Sequence, residues 1–211
     1  MPNVLFHLQF PAPEAANVFF WTTLMESFDQ WDSQLSGTGA RTFAPTYLLI
    51  TTGLTSGGIA RIWKAPAYPP HLMSWAKART IQFRAYTIMD VDAGSENYIC
   101  TGLGLPIAEG FGFKFTDTKI QGFASDGATA TIADLVTALT PAAPTDHRYK
   151  AVFTPGVKVE FYIDDVLLGE VTTNLPAGTT YPHIPARFAV KSGANKASII
   201  YISGFSFQQD L

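Results

Sequence analysis

Hydrophobic and polar residues alternate strictly between residues 157 and 164, where apolar side chains occupy the odd positions. Lys158, Glu160, Tyr162 and Asp164 occupy the even positions. A period of two is typical of a strand with one buried and one exposed face. The polar pair at 164–165 then precedes a second apolar run. The pattern therefore predicts a β-hairpin that turns at these two residues.

Short apolar or alternating runs of the same kind recur along the whole chain, separated by Gly-, Pro- and Ser-containing turn signals. Frequent short strands of this kind favour a sandwich or a barrel over βαβ units. The predicted strands are 4–10, 18–24, 46–52, 59–63, 80–89, 97–102, 112–115, 119–123, 148–154, 157–164, 166–172, 186–190 and 196–207.

One segment carries a helical period instead. Apolar residues recur at i, i+3, i+4 and i+7 from Ile132 to Leu139. Thr131 suits an N-cap, and Pro141 would end a helix. We therefore expect at most one short helix, near residues 131–139, packed on the surface of the strands.

These elements predict an all-β chain, an antiparallel two-sheet β-sandwich of jelly-roll type. The 211 residues contain no repeat, low-complexity tract or charged linker, so a single domain is expected. Within it, residues 28–211 are assigned to the sandwich. Residues 1–27 are expected to form an N-terminal strand or arm that packs on this domain or on a neighbour.

Composition limits the classes of partner. Charged residues make up 15% of the chain, well below the usual quarter, so we expect protein partners and self-association to cover part of the surface. A net charge of -3 without a Lys/Arg cluster argues against nucleic acid. The N-terminus lacks the pattern of a signal peptide, and no apolar run is long enough to span a membrane, so no membrane partner is expected. The single cysteine, Cys100, excludes an internal disulfide and is expected to be a buried thiol.

Motifs for catalysis or cofactor binding are weak. The four histidines lack metal-ligand spacing, and there is no G-x-S-x-G serine motif. Asp90 and Asp92 share i, i+2 spacing next to Asn97. A turn with solvated carboxylates is one interpretation of this group, and a Ca²⁺ site is the alternative. We expect no catalytic residues and no cofactor, with Ca²⁺ as the one metal left open.

Exposed aromatic and amide side chains provide candidates for binding. Gln82, Arg84 and Tyr86 alternate with apolar residues on one predicted strand, and three other aromatic residues surround a Pro-rich loop. Core packing, a sugar-binding platform and a protein interface all remain open for these residues. The candidates for glycan or partner contact are Trp63, Tyr68, Trp75, Gln82, Arg84, Tyr86 and Tyr162.

Three stretches together resemble the concanavalin A-like lectin/glucanase superfamily, a two-sheet antiparallel jelly roll. The first is Phe28-Asp29-Gln30-Trp31 followed by the YLLITTG run at 47–53. The second is the VEFYIDD hairpin at 159–165, similar to the FYVDG hairpin of the family, with Asp165 where Gly is usual. The third is the closing run IIYISGFSF at 199–207, which in such folds returns to the first strand. The resemblance spans residues 18–207.

The resemblance also shapes the expected function. Glucanases of this superfamily carry a clustered E-x-D-x-x-E signature that this chain lacks. The same fold is found in structural proteins of bacteriophages and viruses. We therefore expect a non-enzymatic structural or assembly protein, a capsid decoration, fibre or tail protein of a bacteriophage virion assembled in the host cytoplasm. The alternative is a lectin-like carbohydrate-binding module that recognises surface glycans.

Overall fold

The structure is a computed structural model, and it describes residues 18–23, 32–36, 39–44, 47–52, 59–64, 74–89, 96–103, 109–116, 118–136, 146–178, 186–191 and 198–210. Within these ranges the chain forms strands and turns without a helix, and its strands build two antiparallel sheets. The predicted all-β sandwich is confirmed. No helix capable of crossing a membrane occurs in the described ranges.

Fifteen strands follow one another along these ranges. They are β1 (Val18–Thr23), β2 (Asp32–Leu35), β3 (Ala40–Ala44), β4 (Tyr47–Thr51), β5 (Ile59–Lys64), β6 (Arg79–Met89), β7 (Glu96–Leu103), β8 (Glu109–Thr116), β9 (Ile120–Asp126), β10 (Ala130–Val136), β11 (His147–Thr154), β12 (Lys158–Ile163), β13 (Val166–Val171), β14 (Ala186–Lys191) and β15 (Ser198–Asp210). The strand predicted at 4–10 lies outside the described residues. Strands β2 and β3 were not predicted, because their sequences show no clear alternation.

The first sheet has eight strands in the order β13-β12-β11-β6-β15-β4-β3, with β1 paired to β15 as well. Strand β15 pairs with β6 along nearly its whole length. Its other edge is shared by β4, opposite residues 199–202, and β1, opposite residues 205–210. The second sheet has seven strands in the order β10-β9-β8-β7-β14-β5-β2.

The segment predicted as a helix is largely strand β10, and this prediction is wrong for residues 131–136. Strand β10 pairs with β9, and its less exposed residues Thr131, Ala133 and Leu135 face inward. β-branched residues such as Thr131 and Ile132 lose side-chain freedom in a helix and suit a strand. Pairing with β9 overrides the helical spacing, and residues 137–139 lie outside the described chain.

The predicted hairpin at Asp164-Asp165 is confirmed. Both residues have positive φ, 50° and 66°, as a type I′ turn requires. Ile163 and Val166 pair directly across it. Asp165 thus adopts the left-handed conformation in the position where Gly was expected. The preceding strand begins one residue later than predicted, because Val157 lies in the turn between β11 and β12 and is 55% exposed.

Aromatic rings from the two sheets meet in the core. Phe113 of the second sheet packs edge-to-face on Phe83 and Phe161 of the first, with ring centroids 5.5 and 5.4 Å apart. Phe115 meets Tyr149 in the same way at 5.3 Å. Burial holds the pKa of Tyr149 above its usual range, because the phenolate would lose its hydration. The packed rings fix which face of each sheet points outward.

Candidate functional site

The outer face of the first sheet, between β6 and β13, carries a polar surface. Alternation places Phe83, Tyr149 and Phe161 in the core, so the residues next to them point away from it. Strands β6, β11, β12 and β13 are neighbours in the sheet, and their outward residues therefore form rows across it.

One row, the central row, consists of Gln82, Lys150 and Tyr162. Lys150 of β11 is the register partner of Gln82 on β6 and of Tyr162 on β12. All three side chains are half-buried. Neighbouring strands lie about 4.8 Å apart, so the row spans about 10 Å. On β15 the row continues to Ser206, whose hydroxyl donates to the carbonyl oxygen of Gln82 at 3.4 Å.

Within the central row, the ammonium group of Lys150 lies over the Tyr162 ring. Its Nζ is 4.2 Å from the ring centroid, which is the geometry of a cation–π contact. Among the residues that the structure describes, Lys150 makes no ion pair with a carboxylate. The row therefore presents an aromatic ring, an ammonium group and an amide within a short distance.

The next row is basic but internally neutralised. Arg84 of β6 and Arg148 of β11 are register partners, which places two like charges opposite each other. Arg84 pairs with Asp146 at 2.6 Å, and Arg148 pairs with Asp165. These ion pairs compensate the repulsion between the two arginines, so this row carries little net charge.

The row on the other side is acidic. Glu160 of β12 accepts a hydrogen bond from Lys158 Nζ at 2.9 Å, and Glu170 of β13 lies 3.4 Å from the same nitrogen. These contacts, the Glu160 hydrogen bond first, raise the pKa of Lys158. One lysine serves two carboxylates, so this side of the central row carries a net negative charge.

A fifth carboxylate lies at the hairpin end of the surface. Asp164 accepts a hydrogen bond from the backbone N–H of Arg148 at 2.9 Å, and its other oxygen lies 2.6 Å from His147 Nδ1. The hydrogen bond from Arg148, with support from His147, lowers the pKa of Asp164. This carboxylate fixes the turn to the start of β11, so its oxygens are already engaged.

The structure brings together three of the predicted contact residues, Gln82, Arg84 and Tyr162. Tyr86 follows on β6 with its backbone opposite Tyr201 of β15, and nothing is described of its side chain. Tyr201 itself packs on Tyr47 with centroids 5.5 Å apart. The aromatic character of this face therefore continues beyond Arg84.

The remaining candidates lie elsewhere. Trp63 belongs to β5 in the second sheet, where it pairs with Arg187 and Asp32, and Tyr68 lies outside the described residues. Trp75 is only 2% exposed. Its ring packs edge-to-face on Phe153 at 5.8 Å and lies under the guanidinium group of Arg79 at 3.9 Å. Trp75 thus fits the core-packing alternative rather than an open platform.

The weak metal candidate stays a prediction. Asp90 and Asp92 lie outside the described chain, and Asn97 is fully buried on β7. Within the described ranges, no group of three or more His, Cys, Asp or Glu side chains is arranged to hold a metal ion.

Sequence reasoning missed Lys150, which is the central residue of the surface. The signal was present, because Arg148, Lys150 and Val152 alternate with apolar residues on β11. Counting back from the turn at Pro155-Gly156 places Lys150 opposite Tyr162 in a hairpin. The neighbour on its other side, Gln82, depends on a pairing between distant segments that no local pattern encodes.

The carboxylates of this surface are bonded to neighbouring groups. A glycosidase needs two free carboxyl groups about 5–9.5 Å apart, depending on its mechanism. Glu160 and Asp164 are separated by about 13 Å of extended chain, whereas Glu160 and Glu170 are register partners that both contact Lys158 Nζ, at 2.9 and 3.4 Å. Glu160 and Glu170 share Lys158, and Asp164 accepts a hydrogen bond from the backbone N–H of Arg148 and lies 2.6 Å from His147 Nδ1. The ring, amide and ammonium groups of the central row instead suit a ligand that is held by contacts.

No protein-family model matches the sequence, and no curated protein matches it. Solved structures with the same fold do match. A protein of unknown function from Shewanella oneidensis MR-1 aligns with a TM-score of 0.66 and 13% identity over 95% of this chain and 90% of its own. The carbohydrate recognition domain of Emp46p, in its potassium-bound form, aligns with a TM-score of 0.56 and 8% identity over 87% and 90%.

Botulinum neurotoxin type C, whose cell entry depends on interaction with two ganglioside molecules, aligns with a TM-score of 0.58 and 8% identity. The alignment covers 84% of this chain and 42% of the toxin chain, so this chain spans less than half of that relative. At such low identities these likenesses establish a shared fold. They are consistent with the concanavalin A-like sandwich expected from the sequence.

Proposed function

We propose that this protein is a non-catalytic, lectin-like domain that binds glycans on the outer face of its first sheet. The observation that carries the proposal is the central row, where Tyr162, Lys150 and Gln82 stand side by side on adjacent strands. Sugars present hydroxyl groups and apolar C–H surfaces, and an aromatic ring flanked by an amide and an ammonium group complements both.

The comparisons support this proposal over the expected virion role. The Emp46p domain is a carbohydrate recognition domain, and the botulinum neurotoxin interacts with gangliosides. Both share the fold of this chain. The sheet that carries the central row is also a favourable scaffold for recognition, because its side chains are held by strands rather than by loops.

A glycan array screened with the wild-type protein tests the proposal. We expect binding to a defined subset of glycans, reduced at least about tenfold by Gln82→Ala and by Tyr162→Ala. Gln121→Ala, on β9 of the second sheet, serves as the matched control and is expected to retain binding. The proposal fails if the wild type binds no glycan, or if all three variants bind as the wild type does.

We propose as a second candidate function that the chain assembles with other proteins, as a virion-associated decoration, fibre or tail protein would. Strand β13 supports this proposal. Among the described strands it ends the first sheet, and its consecutive residues Val166, Leu167 and Leu168 are 59%, 49% and 39% exposed. An exposed apolar segment at a sheet edge favours pairing with another strand, and the one charged residue of β13, Glu170, lies near the far end of the strand.

The occupant we propose for this edge is β13 of a second copy, added in antiparallel orientation. Light scattering of the purified protein is expected to show a dimer that Leu167→Lys converts into a monomer. Val157→Lys, an equally exposed aliphatic position at the opposite end of the hairpin, is expected to leave the dimer intact. A wild-type monomer at high concentration contradicts the pairing. For the virion role, particles that lose no density when the gene is deleted would exclude it.

A further inference from the structure

Lys150 differs from the other cations around it. Arg84, Arg148 and Lys158 each have a carboxylate partner on the outer face. Lys150 has none among the described residues, and its contact is the Tyr162 ring. Among the described side chains of this face, Lys150 is thus the positive charge at the centre that has no compensating carboxylate.

The position of this charge changes what the Tyr162 ring can do. With the ammonium group 4.2 Å from the ring centroid, one face of the ring is covered by a cation. A neutral pyranose that stacks on this face would have to displace the lysine and lose the cation–π contact. A negatively charged group has no such cost, because it approaches the ammonium group from the solvent side and adds an ion pair.

The neighbours of Lys150 complete a polar site. The Gln82 side chain stands beside it in register, within the usual spacing of about 5 Å between side chains on adjacent strands. The amide of Gln82 both donates and accepts hydrogen bonds, as sugar hydroxyls require. Ser206 lies next to Gln82 on β15, where it is buried and its hydroxyl donates to the Gln82 carbonyl oxygen.

The surrounding charges orient an anion that binds at Lys150. Glu160 and Glu170 share the single cation Lys158, so an anion is repelled on that side. On the opposite side of the central row, Arg84 and Arg148 are each paired with a carboxylate, so that side does not repel an anion in this way. A carboxylate bound to Lys150 is therefore oriented with its charge away from Glu160.

We propose that the central row binds the carboxylate of an acidic sugar, with Lys150 as the group that recognises the charge and Gln82 as the group that binds neighbouring hydroxyls. The inference rests on the proposed glycan-binding function and names the class of sugar. Sialic acids and uronic acids share the required carboxylate, and the experiment separates these two sources.

The test measures binding to sugars displayed on a polymer, which compensates for weak single-site affinity. Four probes are used: N-acetylneuraminic acid, glucuronic acid and the neutral methyl ester of each. The wild type is expected to bind at least one free acid about tenfold more tightly than its ester, and to lose this preference at high salt. Whichever acid binds more tightly identifies the source of the carboxylate.

Three variants assign the preference to Lys150. Lys150→Ala is expected to bind acid and ester alike, whereas Lys150→Arg is expected to keep much of the preference because it keeps the charge. Lys119→Ala removes a lysine that pairs with Asp134 beside β9 of the second sheet and is expected to keep the preference in full. Thermal unfolding of each variant confirms that it is folded.

The outcomes separate this inference from the proposed function. Equal binding of acid and ester by the wild type, with loss on Gln82→Ala, overturns the acidic-sugar inference and leaves glycan binding in place. Retention of the full preference by Lys150→Ala also overturns it. The absence of binding to these probes and to every glycan of the array overturns both.

Discussion

The ammonium nitrogen of Lys150 lies 4.2 Å from the centroid of the Tyr162 ring, across the neighbouring strands β11 and β12. The contact restricts the long, flexible side chain of Lys150. It also places the ammonium charge at the centre of the outer face. The pair is thus part of the stability of the sheet and also part of the proposed ligand site.

The first prediction concerns the strength of this pair. A double-mutant cycle with Lys150→Ala and Tyr162→Ala is expected to give a coupling energy of about 0.5–1 kcal/mol, the usual range for a cation–π contact with access to water. The free energies come from urea unfolding at neutral pH. Zero coupling would mean that the two side chains do not meet in solution.

The second prediction concerns acid stability. The pKa of Asp164 is lowered from its ordinary value of 3.8 in the folded state, first by the hydrogen bond from Arg148 N–H and then by His147. Because the folded-state pKa lies below the unfolded-state value, this stabilisation is present above about pH 4 and is lost as the pH falls through the folded-state pKa.

Asp164→Asn tests this prediction, since asparagine also tolerates the positive φ of this turn position. At neutral pH the variant is expected to be less stable than the wild type, and the two stability curves should converge as the pH approaches 2. Urea unfolding at a series of pH values measures both curves. If the unfolding free energies of the two proteins differed by the same amount at every pH, Asp164 would not contribute to the loss of stability in acid.

The third prediction concerns Gly122, which gives the Phe161 ring its space. A Cβ added at Gly122 would lie 2.5 Å from a ring carbon of Phe161 in the core between the two sheets. Replacing glycine with alanine in a strand normally stabilises it. Here Gly122→Ala is expected to destabilise the fold by about 1–3 kcal/mol, because overpacking forces the ring to shift.

A second substitution provides the control for this steric explanation. Phe161→Leu removes the ring, so Gly122→Ala is expected to cost much less in that background than in the wild type. Denaturant unfolding of the four proteins gives the interaction energy directly. Additive effects would argue against a clash between these two positions.

The fourth prediction concerns the buried carboxylate of Glu109 at the start of β8. Its Oε1 accepts hydrogen bonds from the backbone N–H groups of Ala177 at 3.1 Å and Gly178 at 2.5 Å. Glu109→Ala leaves both donors without this partner and is expected to cost about 1–3 kcal/mol. Glu109→Gln keeps an acceptor and should cost less.

Hydrogen exchange measures this effect at the two amides. We expect faster exchange at Ala177 and Gly178 in Glu109→Ala, an intermediate rate in Glu109→Gln, and unchanged exchange in β12. Equal protection of the two amides in all three proteins would show that Glu109 does not hold this segment.

Local pattern predicted the elements wherever one face is buried. Strand β12 alternates between buried and half-buried side chains as its sequence indicates, and so does β6 up to Ala85. Pattern failed for β10, an edge strand whose apolar residue Ile132 is exposed, because the helical spacing there competes with pairing to β9. It also failed for the short strands β2 and β3. These strands form because they pair with β5 and β4, and their own sequences show no clear alternation.

The candidate site was predictable only in part. Gln82, Arg84 and Tyr162 were identified because each is a polar residue on a strand of strong alternation. Trp75 was included as an aromatic residue near a Pro-rich loop, and the structure places it in the core, since an indole ring gains more from packing on Phe111 and Phe153 than from exposure.

The sequence by itself determined the all-β class, the alternation of faces and the hairpin at Asp164-Asp165, because side-chain period and turn conformation depend on residues close together in the chain. Only the tertiary structure decided that Lys150 stands between Tyr162 and Gln82. The contact between Lys150 and Tyr162 follows from the hairpin formed by β11 and β12. The position of Lys150 beside Gln82 depends on the pairing of β11 with β6, two strands that are far apart in the chain. The register of this pair is fixed by the packing of Phe83, Tyr149 and Phe113 in the core.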